Sequence, residues 1–267
     1  MFYVNIFNVN IFSYIIIYYI KTMNKIMINK KYKIPNVIHQ TFKNTNLPIE
    51  IVQTINHNKR MCPNCNFIFY DDAACDLFIK NNFDAKIYQA YNNINDCYGA
   101  MKADFFRYCV LYKLGGIYLD IKSKINIPIF SVIRPDDICL LDNARPNLEP
   151  WRKNAPTYEQ WLLMFAPNHP YLLETIHMIT KYIQIKYQPT IQGISILNTK
   201  QKILHVTGPD SFTRCINNYI KKYKVVMHRN IDYNNYFQLN PGGSAYKKMY
   251  TINNGKHYSE MNLPLYK

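Results

Sequence analysis

Between Tyr98 and Leu114, apolar side chains recur at helical spacing: Met101, Phe105, Tyr108 and Tyr112, with Leu111 and Leu114 widening the stripe. Gly115 and Gly116 follow, and glycine accepts the left-handed backbone that a tight helix stop needs. Ile117-Tyr118-Leu119-Asp120-Ile121 then carries the β-branched and aromatic residues of a strand. Side chains alternate along a strand, so Ile117, Leu119 and Ile121 share one expected face and Tyr118, Asp120 and Lys122 the other. Tyr118 and Lys122 would then stand roughly 13 Å apart. The C-terminal edge of such a sheet is where open α/β folds bind ligands.

The same reading extends outward. Ile34, Val37 and Ile38 mark a buried first strand entered through Pro35. Pro48 to Arg60 has helical spacing at Ile51, Val52 and Ile55, and Pro48 suits the first turn. Asn66 to Tyr70 reads as an aromatic strand, and Asp71-Asp72 as the cap of a helix through Leu77 and Ile79. Adjacent helical residues diverge, so capping suits Asp71 and Asp72 better than a shared metal. Asn81 to Cys97 is polar and reads as short helices and loops. Ile138 to Leu141 and Trp161 to Phe165 read as strands, and residues 142–160 as a long loop over the active edge. His169-Pro170 opens a further helix, Thr207-Gly208-Pro209 another, and Val225 to Met227 and Phe237 to Leu239 read as late strands. Alternating strands and helices predict parallel βα units and an α/β fold.

Length bounds this to one domain over 31–267, behind a leader at 1–30. Residues 1–20 are uncharged and apolar, near the roughly 20 residues of a spanning helix, though Asn5, Asn8, Asn10 and Ser13 interrupt them. Lys21, Lys25, Lys30, Lys31 and Lys33 follow. An anchor there would leave the remaining chain facing the cytoplasm. A net charge of +15 favours anionic partners, although the lysines are scattered and form no block. No stacking platform accompanies them, so no nucleic acid is expected. Cys62-Pro-Asn-Cys65 reads as two loop thiols, with redox and zinc roles as alternatives.

Lys102 to Lys122, KADFFRYCVLYKLGGIYLDIK, resembles the core of glycosyltransferases with a DXD sugar-binding region, of the family 32-like, fungal outer-chain mannosyltransferase and capsular polysaccharide type. Their pattern is A-D-x-x-R-Y-x-x-L-x-x-x-G-G-x-Y-x-D-x-D. Ala103, Asp104, Arg107, Tyr108, Leu111, Gly115, Gly116, Tyr118 and Asp120 match it, whereas Lys122 stands where the second acid belongs. Lys33 to Phe42 is similar to the family's opening I-P-K-x-I-H-Q-x-W, FAPNHPYL to its H-P motif, and Thr207-Gly208-Pro209 to its T-G-P turn.

The resemblance implies a single-domain GT-A-type fold with a mostly parallel sheet. It implies transfer of a sugar from a nucleotide-diphosphate sugar, UDP- or GDP-linked, to a glycan, lipid or protein acceptor, with retention at the anomeric carbon. Asp104, Arg107 and Asp120 are the implied catalytic set. Tyr118, Lys122, His39, Gln40, Thr41, Gly208 and Asp210 are the candidate donor-binding residues. His39 also reads as a general base or, better, as a strand-end histidine that shapes the pocket. Thr207 to Thr213 is either a structural turn or a helix terminus open to phosphate or sugar oxygens. A divalent cation, Mn2+ or Mg2+, is implied. Asp120 can supply one carboxylate and His257 a second ligand; alternatively the Lys122 ammonium replaces part of the cation's charge. Three other readings compete: a phosphotransfer enzyme of the haloacid dehalogenase type, against which Lys122 counts, a catalytically impaired nucleotide-sugar- or glycan-binding protein, and a basic RNA-binding protein, which no stacking-platform motif supports.

Overall fold

The computed structural model describes residues 32–142, 145–146, 156–190, 198–241 and 261–267. The expected leader and anchor, His257 and most of the loop after Asp142 lie outside them. No helix of the described residues is long and apolar enough to cross a membrane.

Strands β1 (Val37–Thr41), β2 (Asn66–Tyr70) and β3 (Gly116–Leu119) form half of a six-stranded sheet; β5 (Cys139–Asp142), β8 (Leu162–Phe165) and β9 (Arg229–Ile231) form the rest. The order is β2-β1-β3-β8-β5-β9. β1 pairs parallel with β2 and β3, and β5 with β9, whereas β8 runs antiparallel to both of its neighbours. The sheet is therefore mostly parallel, with β8 as the reversed strand. That reversal matters for chemistry, because the residues just before β8 reach the edge where β3 ends. Two short ribbons flank the sheet: β4 (Lys124–Ile125) with β10 (Phe237–Gln238), and β6 (Arg145–Pro146) with β7 (Pro156–Thr157).

Helices α1 (Ile49–Met61), α2 (Asp72–Asn82), α3 (Ala85–Asn93), α4 (Gly99–Leu114), α5 (Pro170–Gln184), α6 (Thr199–Val206) and α7 (Pro209–Tyr223) fill the connections. Asp71 caps α2 by accepting from Ala74 N–H at 2.8 Å, and Asp72 is the helix's first residue. α4 is more than the amphipathic helix its stripe predicts. Every residue from Asp104 to Leu111 is buried, because sheet and helices enclose it. The apolar core divides across the sheet. Tyr118 joins the α4 side with Phe105, Phe106 and Tyr108, while Ile117 and Leu119 join Ile38, Leu140 and Trp161 on the other.

Gly115 closes α4 with φ +64, and Gly116 opens β3 with φ +96. A Cβ on Gly116 would meet the Val37 carbonyl oxygen at 2.6 Å, so both the backbone conformation and β1 require glycine there. The late strand falls at Arg229–Ile231, not Val225 to Met227. Lys224 ends α7 in the left-handed region, and Val225 and Val226 lie exposed. Arg229 then fixes the register by gripping Asp137 through Nε at 2.9 Å and Nη2 at 2.6 Å.

Candidate active site

The strand predicted to run to Ile121 stops at Leu119. Asp120 donates its N–H to the Trp161 carbonyl at 2.8 Å, and its own carbonyl accepts from Ser123 N–H at 2.8 Å, closing a turn. The alternation that would align Lys122 with Tyr118 and Asp120 is therefore broken, and the 13 Å spacing along one extended strand does not apply. Lys122 lies inside that turn.

Asp104, Arg107 and Asp120 meet at the end of β3. Arg107 Nη2 is 3.0 Å from Asp104 Oδ1 and 3.3 Å from Asp120 Oδ1. Its guanidinium lies over the Tyr118 ring, 4.6 Å from the centroid, and the Tyr118 hydroxyl meets Thr41 Oγ1 at 2.9 Å. The two acids differ sharply in surroundings. The Asp104 side chain is 8% exposed, that of Asp120 24%. Asp104 Oδ1 also accepts from Gln160 Nε2 at 3.0 Å, and Oδ2 from Thr207 Oγ1 at 3.0 Å. Burial raises the Asp104 pKa to about 6, against the lowering pull of Arg107 and these two donors. Asp104 is thus an internal acid that holds Arg107, and Asp120 is the one that solvent reaches.

The remaining candidates separate into distinct places. His39 is fully buried in mid-strand, with Nε2 at 3.0 Å from the Gly115 carbonyl and Nδ1 at 3.1 Å from the Tyr70 hydroxyl. Burial lowers its pKa to about 4, so it is a neutral ring that ties β1 to the α4 stop. Gln40 is 3% exposed, and its Nε2 has no partner among the described residues. Gly208 is buried against the Leu204 backbone at the start of α7. Asp210 pairs with His205 Nδ1 at 2.6 Å. Thr207 ends α6 and turns its hydroxyl to Asp104, and Gly208 is the N-cap of α7.

Gln160 and Thr207 are the site residues that motif reasoning missed as such. Gln160 fell within a stretch read as loop, and its approach to Asp104 depends on the reversal of β8, which no local pattern announces.

An oxygen-rich cation site needs carboxylates with oxygens to spare. Among the described residues no three metal-binding side chains come together. Both Asp104 oxygens are engaged, which leaves Asp120 as the acid open to a cation. One carboxylate suffices for a cation that takes its other ligands from a substrate's phosphates and water. Cys62 and Cys65 are free thiols in a turn closed by Cys65 N–H to the Cys62 carbonyl at 3.0 Å.

Residues 20–138 match the family model described as a glycosyltransferase sugar-binding region containing a DXD motif. Inositol phosphoceramide mannosyltransferase 1 of Schizosaccharomyces pombe is 29% identical over 155 residues, covering 56% of this chain and 44% of that protein. The initiation-specific alpha-1,6-mannosyltransferase of Candida albicans is 27% identical over 168 residues, covering 56% of this chain and 42% of its own. An uncharacterized glycosyltransferase of Acanthamoeba polyphaga mimivirus is 36% identical over 91 residues, 33% of this chain and 35% of that one. The chain thus spans less than half the length of these relatives. Among solved structures, the PaToxG glycosyltransferase superposes with a TM-score of 0.51 at 16% identity, covering 76% of this chain and 77% of its own, a likeness of fold. Residues 20–138 thus resemble the DXD-type sugar-binding region of glycosyltransferases, and the described residues carry a GT-A-type α/β fold.

Proposed function

We propose that the chain transfers a sugar from a UDP- or GDP-linked donor to a hydroxyl of a glycan, lipid or protein acceptor, with retention at the anomeric carbon. The observation that carries this reading is the Asp104–Arg107–Asp120 cluster at the C-terminal edge of β3. Glycosyl transfer requires that charge developing on a leaving diphosphate be stabilised and that the sugar be held in one orientation. Arg107 brings a cation held rigid by Asp104 and the Tyr118 ring, and such a preset charge need not reorganise as the bond breaks. Asp120 can accept from sugar hydroxyls or hold Mn2+ or Mg2+ against the phosphates. When bound, that cation would neutralise phosphate charge, and Lys122 on the adjoining turn would add to it. Gln40 near the end of β1, whose buried Nε2 has no partner among the described residues, suits an acceptor atom on the donor. The curated relatives' names make a mannosyl donor the first to try.

A second reading has one observation in its favour. Among the described residues Asp120 is the single open acid of the site and Lys122 replaces its expected partner, so a nucleotide-sugar-binding protein with impaired turnover would present the same site.

The test is a panel of UDP- and GDP-sugars, with and without manganese, scored by protection against thermal unfolding and by slow donor hydrolysis. One donor should raise the unfolding temperature and be hydrolysed. Protection without hydrolysis selects the second reading, and a chain stabilised by no nucleotide sugar defeats both.

A further inference from the structure

Gln160 is 8% exposed, and it offers the site three polar contacts. Its Nε2 donates to Asp104 Oδ1 at 3.0 Å, its Oε1 accepts from the Tyr108 hydroxyl, and its main-chain oxygen accepts from Arg107 Nη1 at 2.7 Å. We propose that Gln160 is the positioning residue of this site: its amide holds Asp104 ionised and aimed at Arg107, and its carbonyl holds Arg107 turned toward Asp120. The proposal rests on the transferase reading above and adds a role for a residue outside the matched motifs.

The chemistry requires an amide there. A buried carboxylate stays charged only with donors around it. Asp104 has three: Gln160 and Arg107 on Oδ1, and Thr207 on Oδ2. An amide presents a donor at one end and an acceptor at the other. The Asp104 carboxylate, which only accepts, settles which end faces which, because turning the amide over would set Oε1 against it; the Tyr108 hydroxyl then donates to Oε1. The same Tyr108 hydroxyl lies 3.0 Å from the Thr207 carbonyl, so both side-chain donors to Asp104 are tied to one phenol on α4. Arg107 then has little freedom. One face of its fork is fixed by Gln160 and Asp104, and what remains reaches Asp120.

The decisive variant is Gln160→Glu, which keeps size and shape but opposes a second carboxylate to Asp104 near pH 8. On acidification the pair takes up one shared proton and the hydrogen bond returns. Turnover of the nucleotide sugar by Gln160→Glu should therefore fall about tenfold or more below the unaltered protein at high pH, and the ratio should recover as the pH drops, at a pH above that at which Asp104 of the unaltered protein is protonated. A residue that merely fills space would give the same ratio at every pH. Should Gln160→Glu fail to fold near pH 8, Gln160→Met keeps the volume and removes both side-chain bonds. It should lose about tenfold in kcat with donor KM changed less than about threefold. A flat activity ratio across pH for Gln160→Glu, or an unchanged kcat for Gln160→Met, overturns the proposal while the transferase reading stands. If the unaltered chain turns over no nucleotide sugar, the transferase reading fails and takes this role with it.

Discussion

Arg107 Nη2 stands 3.3 Å from Asp120 Oδ1, joining the buried helix α4 to an acid that solvent reaches. The contact spans elements that the chain places on either side of the two-glycine stop. It makes Asp120 separable from the fold, since its side chain is 24% exposed and its backbone bonds to Trp161 and Ser123 do not involve the carboxylate. Asp120→Ala should therefore lower nucleotide-sugar turnover by about 100-fold or more while thermal unfolding stays cooperative and nearly unmoved. Turnover and a melting curve on the same sample check it; full activity would remove Asp120 from the chemistry.

Arg107 and Asp104 behave differently, because both are buried. Breaking a buried ion pair from one side leaves an unpaired charge, at a cost of about 3–5 kcal/mol. Arg107→Ala should thus lose activity and stability together, visible as a lower denaturant midpoint. Arg107→Lys keeps the charge but cannot reach Gln160, Asp104 and Asp120 at once, so it should recover much of the stability and little of the turnover. An Arg107→Lys protein with near-normal kcat would show that charge alone suffices.

The stability of the chain should depend on pH in a way that separates these groups. His39 and His169 both have pKa values lowered to about 4, chiefly by burial and against the pull of the Gly115 and Met227 carbonyls respectively. Unfolded, each takes up a proton near 6.5. Between about 6.5 and 4 the unfolded state therefore binds more protons, and stability falls as pH falls, by roughly 3 kcal/mol for each histidine. Asp104 has the opposite sign. Its pKa is raised from 3.8 to about 6, so the folded state binds more protons between those values and stability falls as pH rises. With two groups against one, the unfolding temperature should drop on acidification below about 6.5. Asp104→Asn should steepen that drop, because it removes the opposing term. Activity should show an acid limb near 6, where Asp104 loses the charge that holds Arg107. A melting series of both proteins across pH 4 to 7 measures the difference directly.

How much of this was legible from the chain alone follows the range of the interactions. The α4–glycine–β3 unit is local: an apolar stripe, a stop that only glycine tolerates and a β-branched run dictate it, and with it the meeting of Asp104, Arg107 and Asp120. The orientation of β8 is not local. It is decided by pairing with both β3 and β5, so the approach of Gln160 to Asp104 could not be read from Gln160's neighbours. The facing of Lys122 depended on strand length, which the turn at Asp120 cut short. Thr207 to Thr213 is readable as a structural turn or as an open helix terminus, and Thr207 instead ends α6 with its hydroxyl bonded to Asp104, a long-range contact that its neighbours do not announce.

Lys122 is the departure from the motif that the chemistry must absorb, and its turn makes it testable. Asp104 is already saturated by Gln160, Thr207 and Arg107, so among the described residues Asp120 has no second carboxylate beside it with oxygens to spare. A cation bound there would rely on the donor's phosphates for much of its coordination. In the unaltered protein, manganese alone should shift the unfolding temperature little, and a nucleoside diphosphate with manganese should shift it more than either does alone. Lys122→Asp restores the second acid and removes a competing positive charge, so manganese alone should now stabilise the protein in a saturable way. Its effect on turnover tells which charge does the work at the phosphates. A gain in activity with manganese means that the cation carries the load and the lysine weakens it. A loss, with manganese bound, means that the Lys122 ammonium is itself the group that steadies the leaving diphosphate.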